Sequence, residues 1–451
     1  MQTLFGTDGV RGKAGQFPLD PHTVRRLGAA LTRALAGDLG ARFLVGRDTR
    51  ESGPWIEREL AAGIVSQGGT LVSAGVIPTP AVAFLTRLES FTAGVVISAS
   101  HNPFEDNGIK VFSGTGEKFT EVLERRVEAI VDDPSWDVTA PAPSGAAGPF
   151  VDEAHYRAEY IAHLSRILPA AGRTGSTRIA IDCANGATIT VAPQVFASLG
   201  FDAQCIGVEP DGRNINFRCG STAPEKLQRT VVEGGYRVGV AFDGDGDRAI
   251  FVDAQGRIVD GDAVMLLCAK QMKAEGRLRD NAVVATVMSN IGLEMALREA
   301  GIGLVRCPVG DKYVMEEMTR RGLSLGGEQS GHIIFADHLF TGDGLATALH
   351  VLRTMAVTGR ELADLAAELT TYPQVLLNVG VARRVDLATV PAVAEVMSAV
   401  ESKLQGQGRL LVRYSGTEPL LRVMLEGRDE TEIRRWGQEI VDAVVEHVGS
   451  R

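Results

Sequence analysis

The sequence predicts an α/β protein: three similar α/β domains with mainly parallel mixed sheets, plus a C-terminal α+β domain, all facing one central cleft. Three observations carry this. The chain has 451 residues, room for about three domains or more. An order of strand, polar turn, helix and strand recurs three times along it. After residue 372 that order stops, and a shorter pattern of strands and two helices replaces it. Strands alternating with helices imply βαβ units and parallel sheets.

Composition limits the function. The chain is 45% hydrophobic and 23% charged, with ample apolar content for packed cores. Its net charge of −10 argues against nucleic acid or a membrane surface as partner, since both need a basic face. An anionic small substrate stays open, provided its positive charge is supplied locally. The five cysteines, Cys183, Cys205, Cys219, Cys268 and Cys307, are scattered and lack CxxC spacing. They read as thiols in a reducing compartment, neither a disulfide frame nor a zinc site. Met1 to Lys13 has no apolar signal-peptide core, and no apolar run is long enough to span a bilayer. A cytoplasmic protein is expected.

Phe5-Gly6-Thr7-Asp8-Gly9-Val10-Arg11-Gly12 opens the chain as a glycine-punctuated loop carrying one arginine. A helix follows, with Asp20 as N-cap, Pro21 at its first position, and Val24, Leu27, Leu31 and Leu35 on one face. The first strands of the three repeats are Phe43–Val45, Ile179–Ile181 and Val283–Ala285. The second strands are Leu71–Val76, Ala203–Val208 and Leu304–Val309. Each third strand runs into an unusual loop: Ser98–Pro103, Asp243–Arg248 and Gly326–His332. Short β segments then follow at Ile109, Ala249 and Ile333. The expected domains are 1–150, 151–253, 254–371 and 372–451. Trp136–Pro149, rich in Pro, Ala, Gly and Ser, marks the first boundary.

Ser98-Ala99-Ser100-His101-Asn102-Pro103 follows the apolar run Val95–Ile97. Alone it reads as a turn that satisfies its own backbone. The other loops reverse that reading and make Ser100 a nucleophile or phosphoryl carrier. His101 joins the catalytic candidates, although adjacency in sequence gives it poor geometry as base for Ser100.

Asp243-Gly244-Asp245-Gly246-Asp247-Arg248 is the most specific local signal. The glycines let the backbone curl so that three carboxylates converge. Converging anions repel unless a cation sits among them, and an all-oxygen set suits Mg2+ or Ca2+. An EF-hand is excluded, because Arg248 and Ala254 stand where the glycine and the bidentate glutamate would be.

Glu328, Gln329, Ser330 and His332 offer the donor and acceptor mix that a polyhydroxyl ligand needs. Arg413, Ser415, Gly416 and Thr417, with Arg422 beyond, form an anion clasp of guanidiniums, hydroxyls and backbone N–H groups. No Walker loop occurs, which argues against P-loop kinases. A carrier serine, a metal site, a hydroxyl reader and a phosphate clasp together describe phosphoryl transfer on a phosphorylated sugar.

These four motifs, in this order, resemble the α-D-phosphohexomutase family from end to end. Phe5–Gly12, Glu328-Gln329-Ser330 and Ser415–Pro419 are similar to its bacterial branch acting on glucosamine phosphates. The glucose and mannose branch usually has Glu-Met-Ser in the sugar loop, and tends to carry histidine at the position of Asp311.

The resemblance implies that Ser100 works as phosphoserine and that its phosphate, with Asp243, Asp245 and Asp247, binds one Mg2+. It implies conversion of glucosamine 6-phosphate to glucosamine 1-phosphate through a 1,6-bisphosphate that turns end for end, supplying UDP-N-acetylglucosamine synthesis. Glu328 and Ser330 would hold the sugar. Arg413, Ser415, Gly416, Thr417 and Arg422 would hold the phosphate that is not reacting. Lys110, His332, Arg11 and Arg248 are candidates for proton transfer and charge stabilisation. A hexose 1,6-bisphosphate activator, a homodimer and a mobile fourth domain are also expected.

Overall fold

The computed structural model describes residues 4–6, 8–35, 40–138, 150–151, 153–168, 177–404, 406–415 and 420–449. They fall into two compact units: Met1–Met288 with Gly301–Glu368, and Ser289–Ala300 with Leu369–Arg451.

The first domain contains β1 (Val10–Lys13), α1 (Pro21–Leu35), β2 (Arg42–Arg47), α2 (Gly53–Ser66) and β3 (Thr70–Val76). It continues with α3 (Thr79–Leu88), β4 (Ala93–Ile97), β5 (Asp106–Ser113), α4 (Glu121–Asp132) and β6 (Phe150–Val151). Helix α5 (Glu153–Ser165) leads to β7 (Arg178–Asp182), α6 (Ala192–Ser198), β8 (Asp202–Ile206), α7 (Glu225–Gly234), β9 (Val238–Phe242), β10 (Ala249–Asp253) and β11 (Ile258–Val259). The third domain holds α8 (Gly261–Ala274), β12 (Ala282–Thr286), α9 (Ile291–Glu299), β13 (Gly303–Cys307) and α10 (Asp311–Arg321). It closes with β14 (Leu325–Gly327), β15 (Ile333–Phe335), α11 (Gly344–Thr358) and α12 (Leu362–Ala366).

The sequence repeat is a topological repeat. The sheets share the orders β5-β4-β2-β3, β10-β9-β7-β8 and β15-β14-β12-β13. In each, the first three strands of the repeat pair in parallel and the last returns antiparallel. Ser98–Pro103, Asp243–Arg248 and Glu328–His332 are therefore the same turn, repeated three times. Each follows a fully buried strand, which fixes where its side chains emerge.

Helix α1 starts as its sequence predicts, with Asp20 Oδ1 accepting from Thr23 N at 3.0 Å. Val24, Leu27 and Leu31 are buried, as their spacing requires.

Three local readings change. Val10–Lys13 is a strand, because it pairs antiparallel with Asp106–Ile109. Glycine punctuation hid that long-range partner. For the same reason β5 begins at Asp106 and includes Asn107 and Gly108. The second sheet also runs to Val259, beyond Asp253, because β11 pairs with β10.

The second unit holds β16 (Gln374–Gly380), α13 (Pro391–Leu404), β17 (Arg409–Tyr414), β18 (Leu420–Glu426) and α14 (Glu430–Val448). Its antiparallel sheet has the order β16-β18-β17, an α+β arrangement. Helix α9 belongs to this unit although its sequence lies in the third repeat. Buried Glu426 accepts from Ile291 N at 3.2 Å, and Asn290 exchanges hydrogen bonds with the Tyr372 backbone. Among the described residues no helix is long and apolar enough to cross a membrane. All five cysteines are free.

Candidate active site

Ser100 is buried and has φ 52°, a left-handed conformation that a serine adopts only when its surroundings enforce it. The enforcement is visible. Ser100 N donates to Ser98 Oγ at 2.9 Å, and Ser98 Oγ donates to Asp48 Oδ2 at 2.6 Å. Asp48 in turn pairs with Arg50 Nε at 2.8 Å. Arg50 is fully buried and spends its remaining donors on the serine loop. Its Nη2 reaches Ser100 O and Asn102 O at 2.9 and 2.8 Å, while Nη1 reaches Asp106 O at 3.0 Å and also Pro103 O. From the second domain, Asn216 Nδ2 donates to Ser100 O at 2.9 Å.

Ser100 Oγ donates to Asp243 Oδ2 at 2.5 Å. Asp243, Asp245 and Asp247 are all buried, and one carboxylate oxygen from each lies within 4.8 Å of the others. Gly246 has φ 73°, which the turn needs, and a Cβ on Gly244 would meet Ser100 O at 2.5 Å. Burial, then Asp247 and Asp245, pushes the Asp243 carboxyl well above its usual range. Asp245 Oδ1 and Asp247 Oδ1 have no hydrogen-bond partner among the described residues. Buried, unsatisfied oxygens beside a third carboxylate are the donor set of a hard divalent cation, so the residues fit a metal.

Lys110 Nζ lies 2.9 Å from Asp245 Oδ2, 3.3 Å from Asp247 Oδ2 and 3.1 Å from Asp8 Oδ2. Burial opposes its charge, but these carboxylates outweigh burial and hold its pKa well above the usual lysine value. It is therefore an ammonium here. Arg11 pairs with Asp8, and its Nη1 reaches Ala99 O at 3.4 Å. Arg248 N donates to Asp243 Oδ1 at 3.2 Å, and its Nε lies 3.8 Å from Asp247 Oδ1.

His332 is buried, with Nδ1 3.7 Å from Asp247 Oδ1 and Nε2 3.6 Å from Asp311 Oδ2. Gly342 N donates to Nε2 at 3.0 Å, and although burial opposes its charge, Asp247 and then Asp311 raise the His332 pKa. His101 Nδ1 is 3.4 Å from Ser100 Oγ. Burial, then Arg248 and Arg11, lowers the His101 pKa.

Glu328 is buried and accepts from Gly310 N at 3.1 Å, while Ser330 is exposed. Ser100, His101, Lys110, Arg11, Arg248, His332 and the three aspartates thus converge within one unit. Arg413, Ser415 and Arg422 belong to the other unit. There Arg413 and Arg422 are directly opposite on β17 and β18. Like charges facing across a ladder repel unless an anion lies between them. Ser415 O accepts from Arg384 Nη2. Gly416 and Thr417 lie outside the described residues.

Sequence reasoning missed Asp48, Arg50, Asn216, Asp8 and Lys118. Only Gly46-Arg47-Asp48, the turn after the first strand of the first repeat, offered a signal for Asp48 and Arg50.

Residues 2–137, 158–256, 260–372 and 376–443 match, in turn, domains I, II and III and the C-terminal domain of phosphoglucomutase/phosphomannomutase. The chain belongs to this family of phosphohexose mutases, which are isomerases. Its relatives include the phosphoglucosamine mutase of Syntrophotalea carbinolica, 48% identical over 99% of this chain and 98% of that one. The phosphoglucosamine mutase of Solibacter usitatus is 49% identical over 99% of both.

Solved structures share the fold. A phosphoglucomutase/phosphomannomutase family protein from Burkholderia thailandensis superposes with TM-score 0.81 at 22% identity, over 100% of this chain and 99% of that one. The Aspergillus fumigatus N-acetylphosphoglucosamine mutase, in complex with GlcNAc-6P and magnesium, gives 0.69 at 19% identity, over 99% and 96%.

Proposed function

We propose that the chain is a phosphoglucosamine mutase, interconverting glucosamine 6-phosphate and glucosamine 1-phosphate with Ser100 as phosphoryl carrier. The observation that carries the reading is the Ser100 Oγ to Asp243 contact at 2.5 Å, beside two further buried carboxylates. The full-length phosphoglucosamine mutase relatives support the sugar.

In the first half-reaction the sugar O1 attacks the phosphorus of phosphorylated Ser100. The P–Oγ bond breaks and the P–O1 bond forms, giving the 1,6-bisphosphate. The O1 proton leaves to a neutral imidazole, for which His101, its pKa lowered by burial, is the candidate, while His332, its pKa raised against burial by Asp247 and Asp311, serves charge stabilisation. Reversal at the 6-phosphate, after the intermediate has turned, restores phosphoserine and releases the 1-phosphate. A hexose 1,6-bisphosphate would prime the serine in the same way.

Asp243, Asp245, Asp247 and the Ser100 phosphate would hold Mg2+, which neutralises charge on the transferring phosphoryl group. Lys110, Arg11 and Arg248 add fixed positive charge where the phosphoryl oxygens gather. Glu328 and Ser330 hold sugar hydroxyls, and Arg413, Ser415, Gly416, Thr417 and Arg422 clasp the distal phosphate.

The four matched segments support domain boundaries near residues 150, 253 and 371. The acidic balance and the phosphosugar substrate suit a cytoplasmic enzyme, and we expect a homodimer.

The test is intact mass and phosphosite mapping, followed by turnover of the glucosamine, glucose and mannose 6-phosphates. A single exchangeable phosphate on Ser100, with preference for the amino sugar, is expected. No phosphate there after incubation with a hexose 1,6-bisphosphate would overturn the carrier role. Preference for glucose or mannose would move the chain to its sibling mutases.

A further inference from the structure

Three residues that the proposed reaction does not use, Asp8, Lys118 and Asp311, complete a closed network at the site. Lys110 Nζ lies 3.3 Å from Asp247 Oδ2 and 3.1 Å from Asp8 Oδ2. Lys118 Nζ lies 2.5 Å from Asp8 Oδ1 and also pairs with Asp311 Oδ2. His332 lies 3.6 Å from Asp311 and 3.7 Å from Asp247. Asp247, Lys110, Asp8, Lys118, Asp311 and His332 therefore close a ring in which acidic and basic side chains alternate. Asp8, Lys110 and Lys118 come from the first domain, Asp247 from the second, and Asp311 and His332 from the third.

Alternation matters because each carboxylate lies between two basic side chains and each basic side chain between two carboxylates. Lys110 ends a flexible four-carbon stem, so its ammonium sits where its partners put it. Asp8 is one of those partners, and Asp8 is itself held by Lys118 and Arg11. Asp311 holds the far side of the His332 ring.

The void beside Lys118, which Asp8, Lys110 and Lys312 also line, has a volume of about 20 Å³. That is room for about one water molecule and not for a sugar. Lys118 thus acts through its neighbours. A separate bond, Lys312 Nζ to Glu124 Oε2 at 2.9 Å, ties α10 to α4. Docking of the two domains does not hang on Lys118 alone.

We propose that Lys118 and Asp311 are positioning residues of the mutase reaction: they bridge the first and third domains and, through Asp8 and His332, set the places of the Lys110 ammonium and the His332 imidazole. This rests on the mutase reading of the site. A buried pair that merely held domains together would show its loss in melting temperature. A pair that sets alignment shows it in kcat.

The experiment compares wild type, Lys118→Met, Lys118→Arg, Asp311→Asn and the Lys118→Met/Asp311→Asn double variant. Each is assayed on glucosamine 6-phosphate and on glucose 1-phosphate, with thermal melting beside. We expect each non-conservative single variant to lose at least about tenfold in kcat while KM stays within about twofold. Lys118→Arg should recover most of the loss. The double variant should lose less than the product of the two single losses, since each single already removes the shared Lys118–Asp311 bridge.

Values of kcat within about twofold of wild type in both singles would overturn the proposal. So would losses that multiply in the double variant, a Lys118→Arg no better than Lys118→Met, or a loss tracked by unfolding at the assay temperature. A wild type active only on glucose 1-phosphate would overturn the sugar assignment alone, and the ring would then be judged on that substrate. A wild type inactive on both would overturn both readings.

Discussion

Ser100 Oγ and Asp243 Oδ2 stand 2.5 Å apart although 143 residues separate them in sequence. The contact joins the serine turn of the first sheet to the equivalent turn of the second. It places the Ser100 oxygen directly on the carboxylate set, so removal of that oxygen tests the proposed chemistry more than the fold. Ser100→Ala should lower mutase turnover by more than about 10³-fold. Asp243 keeps its bond from Arg248 N, so the loss of stability should stay within about 1–3 kcal/mol. Steady-state rates and urea melts of the variant decide this. Near-normal turnover would remove Ser100 from the mechanism.

Asp245 accepts from Thr79 Oγ1 at 2.6 Å and pairs with Lys110 at 2.9 Å, leaving Oδ1 open. The amide introduced by Asp245→Asn still offers an oxygen to Thr79 but loses the charge. That substitution should raise the Mg2+ needed for half-maximal rate by at least about tenfold, the scale on which even outer-shell partners act. A Mg2+ titration of activity superimposable on wild type would place the metal elsewhere.

Arg50 spends all its donors on Asp48 and on four carbonyls of the serine loop. Lysine retains the charge but cannot fork. Arg50→Lys should reduce kcat by roughly tenfold to a hundredfold with little change in KM, because Ser100 is no longer pinned in its left-handed conformation. Arg50→Met leaves Asp48 buried without its cation and should cost roughly 3–5 kcal/mol of stability. Kinetics on the first variant and denaturant melts on both separate the two effects.

Acid should destabilise the protein through a histidine cluster away from the site. His350 stacks on Phe335 at 3.9 Å, lies 5.0 Å from His338, and has an Nε2 without a hydrogen-bond partner among the described residues. Burial, then His338, Arg277 and Arg353, holds its pKa well below 6.5. Burial, then His338, brings nearby His163 down to about 4. Depressed imidazoles protonate first in the unfolded chain. Their contribution is present above pH 6.5 and is lost as pH falls toward 4. Asp343, raised to about 6 by burial, offsets part of this as it takes up a proton.

His350→Phe removes one depressed group and keeps the stacking. Its stability should fall less steeply than wild type between about pH 6.5 and 5, by up to about 1.4 kcal/mol per pH unit, as read from denaturant melts across that range. Parallel slopes would show that His350 does not titrate there.

Much of this was legible in the primary structure. Asp243-Gly244-Asp245-Gly246-Asp247 declares its donor set, since the glycines leave the backbone free to curl and bring three carboxylates together. The repeat announced itself through short apolar strands ending in polar turns, and the same strand order appears in the three repeat sheets. Local rules reach this far because strand burial, helix capping and turn conformation are settled within a few residues.

Pairing between distant segments was not legible. Nothing near Val10 indicates that it lies against Ile109, and nothing near Gly292 indicates that α9 joins the second unit. Arg50, Asn216 and Lys118 are ordinary polar residues by sequence. They matter only because packing brings the Ser100 carbonyl, Asp8 and Asp311 within hydrogen-bond or ion-pair distance. The sequence by itself determined the chemical groups and the turns that carry them. Tertiary structure alone decided which charges face one another, because electrostatic and hydrogen-bond energies depend on separations of a few ångströms that chain order does not encode.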